Sequence, residues 1–125
     1  MRILAVDDNE ESLYMLTTLL RGNGYEVIAA CDGIAALDIL KTQRADLIMS
    51  DILMPRMDGF QLCRTVKSDP TLREIPFVFY TATYTEKRDI DLAMSLGAQR
   101  FLIKPLDVDV VLQAVAEVLS KHGET

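Results

Sequence analysis

The sequence predicts one α/β domain whose parallel sheet is covered by helices on both faces. Three observations predict it. Short apolar runs alternate with helical periods from end to end, five of each. The runs are continuously apolar, whereas a strand with one wet face would alternate. The 125 residues suffice for one core, whereas two separate cores would be too small to stabilise themselves. Strict β-then-α alternation fits right-handed crossovers between parallel strands.

The elements follow in order. Ile3 to Val6 reads as the first strand, running into Asp7-Asp8-Asn9. Asn9 can cap a helix whose apolar face is Leu13, Leu16 and Leu20, and Gly22-Asn23-Gly24 stops it. Glu26 to Cys31 is the second strand, a helix around Ala36, Leu37 and Leu40 follows, and Asp46 to Ser50 is the third strand. After Met54-Pro55-Arg56-Met57-Asp58-Gly59 comes a helix with Leu62, Cys63 and Val66 on one face, closed before Pro70. Phe77 to Tyr80 is the fourth strand, entered through Pro76. Ile90, Ala93, Met94 and Gly97 give a fourth helical stripe, and Phe101 to Ile103 a fifth strand. Val108, Val111, Leu112, Val115 and Leu119 form the last helical face. One domain is expected over residues 1–121, with 122–125 as a polar tail.

Composition narrows the function. Thirteen Lys and Arg against 19 Asp and Glu give a net charge of −6, which argues against nucleic-acid binding and against anionic membranes as partners. The single histidine, His122, leaves no material for histidine-based zinc sites or Ser-His-Asp catalysis, and belongs to the polar tail. Cys31 and Cys63 have no Cys-x-x-Cys spacing and read as small buried apolar residues in a reducing compartment. No apolar run approaches the ~20 residues that cross a bilayer. The first six residues are too short for a secretory signal before Asp7-Asp8, so a cytoplasmic location is expected.

In doubly wound sheets the ligand crevice lies beyond the carboxyl ends of the strands. Asp7 and Asp8 follow the first strand, Asp51 the third, Thr81 and Ala82 the fourth, Lys104 and Pro105 the fifth. Each has a plainer reading alone: a helix N-terminal pair for Asp7-Asp8, a solvated turn carboxylate for Asp51, a surface ammonium for Lys104, an ordinary strand end for Thr81. Jointly they bring three carboxylates, a hydroxyl and an ammonium to one edge. Two unit charges ~4 Å apart repel by about 4 kcal/mol at an effective dielectric of about 20. One lysine cannot offset three such pairs, so the cluster takes up protons or binds a hard divalent cation. Sparse oxygen ligands on loops favour Mg²⁺ over a full calcium cage.

Val6-Asp7-Asp8-Asn9, Asp51-Ile52-Leu53-Met54-Pro55-Arg56-Met57-Asp58-Gly59, Thr81-Ala82, Gly97-Ala98 and Lys104-Pro105 also carry a family resemblance. Across nearly its whole length the chain resembles a response-regulator receiver domain of two-component signalling. The resemblance implies a flavodoxin/CheY-like (βα)5 fold with strand order 2-1-3-4-5. It implies a phosphoryl switch in which Asp51 accepts the group from a phosphohistidine on a sensor histidine kinase or histidine phosphotransfer protein. Asp8, Asp51 and the backbone carbonyl of Leu53 would bind Mg²⁺, with Asp7 acting through a metal-bound water. Lys104 would contact the phosphoryl oxygens. Thr81 would donate its hydroxyl to the phosphoryl group and Phe101 would turn inward with it, beside small Ala82. Lys104-Pro105 would be the family's cis bond. The surface of the fourth helix, fifth strand and fifth helix would serve a homodimer or downstream effector.

Flanking residues have structural readings: Met54 and Met57 packed under the loop, Gly59 and Gly97 serving backbone geometry, Asp58 as a turn or helix cap. Leu53 and Thr83, two residues beyond Asp51 and Thr81, carry no amide or carboxylate to orient water, so the aspartyl phosphate is expected to hydrolyse in minutes to hours. The chain would then be no turnover enzyme on external substrates, catalysing only its own phosphorylation and slow dephosphorylation. Two other readings stand beside this one. A constitutive interaction module with an unused crevice could lose any of Asp7, Asp8, Asp51, Thr81 and Lys104. A Mg²⁺-dependent hydrolase of haloacid-dehalogenase type would want Asp-x-Asp after the first strand. No output segment follows the last helix, so the chain is either a stand-alone regulator or a piece of a longer one.

Overall fold

The computed structural model describes residues 1–105 and 107–123, the side chains of His122 and Gly123 aside. The strands are β1 Arg2–Val6, β2 Glu26–Ala30, β3 Leu47–Ser50, β4 Phe77–Thr81 and β5 Arg100–Ile103; the helices are α1 Glu10–Gly22, α2 Gly33–Leu40, α3 Gly59–Ser68, α4 Lys87–Ser95 and α5 Val108–Gly123. The five strands form one parallel sheet in the order β2-β1-β3-β4-β5. The direction in which strands are added reverses beside β1, and the β1/β3 boundary is therefore the switch point where such sheets bind ligands.

The three central strands β1, β3 and β4 are almost wholly apolar and buried because both faces are covered, while the edge strands β2 and β5 are partly exposed. Ile3, Ala5, Leu47, Met49, Val78, Tyr80 and Leu102 pack with Leu16 and Leu20 of α1 and Val111, Val115 and Leu119 of α5. Leu4, Val6, Ile48, Phe77 and Phe79 pack on the other face with Ala36 and Leu40 of α2, Leu62, Cys63 and Val66 of α3, and Ala93 of α4. Each fully buried Val, Leu, Ile, Met or Phe side chain among them contributes about 1.5–3 kcal/mol. Asn9 caps α1 through the Ser12 amide at 2.9 Å, as its sequence position implies. Asp58 caps α3 in a box with Gln61. Met54 is buried and Met57 packs against the core.

Several details differ from the sequence reading. In α4 only Ala93 is buried, Ile90 is half-buried and Met94 is exposed. Met94 is rotated about 100° from Ala93, and a helix on the sheet margin buries a single row. Gly97 lies beyond α4 with φ +103°, a turn rather than a packing position. Val108 opens α5 exposed, ahead of the buried row that begins at Val111. Cys31, just past edge strand β2, is exposed; Cys63 alone is buried, and burial pushes its thiol up to about 11. The α5 helix runs to Gly123, two residues into the segment expected as tail, while Glu124 and Thr125 lie outside the described residues.

Candidate functional site

The sheet register builds the site. Val6 pairs with Ser50, Ser50 with Phe79, and Tyr80 with Leu102. One step further along, Asp7, Asp51 and Tyr80 fall in one row. Side chains alternate across a strand, so Asp7 shares a face with Ala5, Asp51 with Met49, and Lys104 with Leu102. Three elements thereby aim Asp7, Asp51 and Lys104 at one point. Lys104 Nζ donates to Asp7 Oδ2 at 3.0 Å and to Asp51 Oδ2 at 3.1 Å. Asp8 completes a cluster in which one carboxylate oxygen from each of Asp7, Asp8 and Asp51 lies within 4.8 Å of the others. Asp7 is buried and Asp8 exposed, so the cluster opens to solvent on one side.

The backbone holds these carboxylates in place. Asn9 N–H donates to Asp7 Oδ1 at 2.9 Å and Ile52 N–H to Asp51 Oδ1 at 2.7 Å. Burial holds the Asp51 carboxyl above its usual range; the Ile52 amide and Lys104 ammonium oppose that rise, and the Asp7 charge adds to it. Three carboxylates against one ammonium leave a formal charge of −2. All the donors are hard oxygens, and the charge matches one divalent cation, so the residues present fit Mg²⁺.

Thr81 ends β4 fully buried, and its Oγ1 accepts the Thr83 N–H at 3.1 Å and the Tyr84 N–H at 3.3 Å. Ala82 beside it is exposed. Phe101 is half-buried, its ring 6.2 Å from that of Phe79. The Lys104–Pro105 bond is cis, as the resemblance implied. Leu53 follows Asp51 in the β3–α3 loop with its side chain exposed. Gly59 N–H donates to Ile52 O at 2.8 Å, and a Cβ on Gly59 would overlap the Asp51 carbonyl oxygen.

The family model described as "Response regulator receiver domain" matches residues 3–116. The chain belongs to this family. The receiver domain is 42% identical over 120 residues to response regulator PleD of Caulobacter vibrioides, covering 96% of this chain and 26% of that protein. It is 36% identical to the DNA-binding response regulator MtrA of Mycobacterium tuberculosis, covering 98% of this chain and 52% of that one. The chain thus spans between about a quarter and about half of these relatives. Among solved structures, the signal receiver domain of a signal transduction histidine kinase from Syntrophus aciditrophicus matches with a TM-score of 0.88 at 37% identity, over 96% of this chain and 90% of that one. No helix among the described residues is long and apolar enough to cross a membrane.

Two features of this receiver domain escaped the sequence reading. Tyr80 donates its hydroxyl to Asp7 Oδ2 at 3.1 Å. Burial, with the Asp7 charge next, pushes that phenol far above its ordinary range, so it stays a donor. Strand parity places Tyr80 on the Asp7 face once the β1–β3 and β3–β4 registers are known. The second is a clamp. Arg56, at φ +66°, donates through Nε and Nη2 to Asp32 Oδ2 at 2.8 and 2.6 Å, tying the β3–α3 loop to the N-terminus of α2. The Ala35 amide and then Arg56 hold the Asp32 carboxyl below its usual range. A lowered folded pKa stabilises the fold above the unfolded value, and that stability is lost as pH falls through the folded value. Asp32→Ala is therefore expected to cost about 1 kcal/mol, typical of a lost cap, at neutral pH. Thermal unfolding should show the gap to wild type shrinking below about pH 4; a gap undiminished in acid would contradict it.

Proposed function

We propose that this receiver domain works in the cytoplasm as the phosphoacceptor of a two-component or phosphorelay pathway. Asp51 takes the phosphoryl group from a phosphohistidine on a sensor histidine kinase or histidine phosphotransfer protein. The observation that carries this reading is Lys104 Nζ standing between Asp7 and Asp51 at 3.0 and 3.1 Å, with Asp8 beside them beyond the strand ends. Asp8, Asp51 and the Leu53 carbonyl would hold Mg²⁺, with Asp7 acting through water; bound Mg²⁺ supplies positive charge toward the phosphoryl oxygens.

The chain's own residues do the rest. An Asp51 oxygen bonds to phosphorus as the phosphorus–nitrogen bond to the imidazole breaks; the nitrogen keeps the electron pair and takes up a proton. The Ile52 amide fixes the nucleophile through Oδ1. Lys104 turns from Asp51 to the phosphoryl oxygens as negative charge gathers there. Thr81 reaches the phosphoryl group only by releasing the Thr83 and Tyr84 amides, so its loop moves, and Ala82 is small enough to leave room. Phe101 turns inward with it, and the α4–β5–α5 surface, where Leu92, Met94 and Ile103 are exposed, changes shape for a second copy or an effector. Phosphorylation must bias the two states by a few kcal/mol to act as a switch.

Incubation with acetyl phosphate and Mg²⁺ tests this. Intact-mass measurement should find one PO₃ on the wild type and none on Asp51→Asn. The adduct should persist for minutes to hours after donor removal, since neither Leu53 nor Thr83 supplies an amide or carboxylate to orient an attacking water. Equal incorporation in both proteins would overturn the assignment of Asp51.

A further inference from the structure

Tyr80 is among the largest fully buried side chains, set in the middle of β4's packing against α1 and α5. A leucine would fill such a position without the cost of burying a hydroxyl, which is tolerated only when hydrogen-bonded. Its partner is no backbone carbonyl but Asp7 Oδ2, at 3.1 Å. The same oxygen receives Lys104 Nζ at 3.0 Å, and that ammonium stands 4.7 Å from the centroid of the Tyr80 ring, within cation–π range. One side chain thus touches both the most buried carboxylate of the cluster and its cation.

We infer that Tyr80 is a positioning residue for the site: its hydroxyl fixes Asp7, and its ring face steadies the Lys104 ammonium between Asp7 and Asp51. The inference rests on the phosphoacceptor reading above. Asp7 takes three donors, the Asn9 amide on Oδ1 and Tyr80 and Lys104 on Oδ2. When Lys104 turns to a phosphoryl oxygen, Tyr80 is the side chain that still donates to Oδ2. The phenol then holds the Asp7 carboxylate in the orientation that faces the cation. Hydrogen-bond partners behind metal-binding carboxylates commonly matter 10–100-fold in affinity.

Two variants separate the roles. Tyr80→Phe keeps the ring and loses the hydroxyl; Tyr80→Leu loses both. Calorimetry should find Mg²⁺ binding to Tyr80→Phe about tenfold weaker than to wild type. Its phosphoryl uptake from acetyl phosphate should be slow at limiting Mg²⁺ and close to wild type at saturation. Tyr80→Leu should lose maximal rate as well. In the unmutated protein, the Tyr80 ring resonances should shift on Mg²⁺ titration with the midpoint seen by calorimetry, a readout independent of how the variants fold. Tyr80→Phe that folds and binds Mg²⁺ like wild type would overturn the role of Tyr80 alone, as would ring resonances indifferent to Mg²⁺. A wild type that binds no Mg²⁺ and takes up no phosphoryl group would overturn the phosphoacceptor reading and this inference with it.

Discussion

Lys104→Met should lower stability at neutral pH by about 3 kcal/mol, because it leaves two buried carboxylates without their shared cation. Asp7 is wholly buried and the Asp51 side chain is 12% exposed, so neither can recover full hydration. Methionine keeps the apolar stem, confining the change to charge and hydrogen bonding. In a domain of this size such a loss lowers the melting temperature by about 10 °C. Mg²⁺ should restore more of the melting temperature in Lys104→Met than in wild type, since the variant's crevice lacks a positive charge of its own and ligand binding stabilises in proportion to affinity. Phosphoryl uptake should remain about 10² to 10³-fold slower even with Mg²⁺, as when one electrostatic donor is removed from a reacting centre. Unchanged melting with and without Mg²⁺ would show that Lys104 is not coupled to the carboxylates.

Gly59→Ala should cost about 3 kcal/mol or more, well beyond the ~1 kcal/mol that a helix gains from alanine over glycine. The added methyl group would overlap the Asp51 carbonyl oxygen and come within 2.8 Å of Ile52 Cα, and both obstacles are backbone. Relief requires the β3–α3 loop to lift, carrying the Asp51 carboxylate with it, so Mg²⁺ affinity should fall together with stability. Gly33→Ala is the control. The three atoms nearest its methyl group would be Met57 Cγ, Sδ and Cβ, of which Cγ and Sδ can turn aside, so the cost there should be smaller. Denaturant unfolding of the two variants in parallel checks the contrast; equal costs would place the constraint elsewhere.

Most of the fold could be read from the chain because both sheet faces are covered, and the strands therefore stand out as unbroken apolar runs between polar turns. Asp7, Asp8, Asp51, Thr81 and Lys104 were visible for the same reason: each sits where an apolar run stops. What stayed hidden depends on register or on three-dimensional approach. Tyr80 looks like one more apolar strand residue until β4 is aligned with β3, when it falls in the row of Asp7 and Asp51. The Arg56–Asp32 clamp joins residues 24 apart in the chain, through a loop conformation that no local pattern encodes. The need for glycine at position 59 comes from the Asp51 carbonyl oxygen, which only the packed structure brings close. Cys31 and Met94 read as core residues because an apolar side chain near an edge looks like one in the interior.

Crystals grown with Mg²⁺ and beryllofluoride, a stable stand-in for the phosphoryl group, bear most closely on the assignment of the crevice. The fluoride-bearing group should be bonded to an Asp51 carboxylate oxygen, with Mg²⁺ against Asp8 and Asp51, Lys104 Nζ on the fluorides and Thr81 Oγ1 drawn away from the Thr83 and Tyr84 amides. A crevice still closed by Lys104 on Asp7 and Asp51, with neither ion bound under saturating conditions, would contradict it.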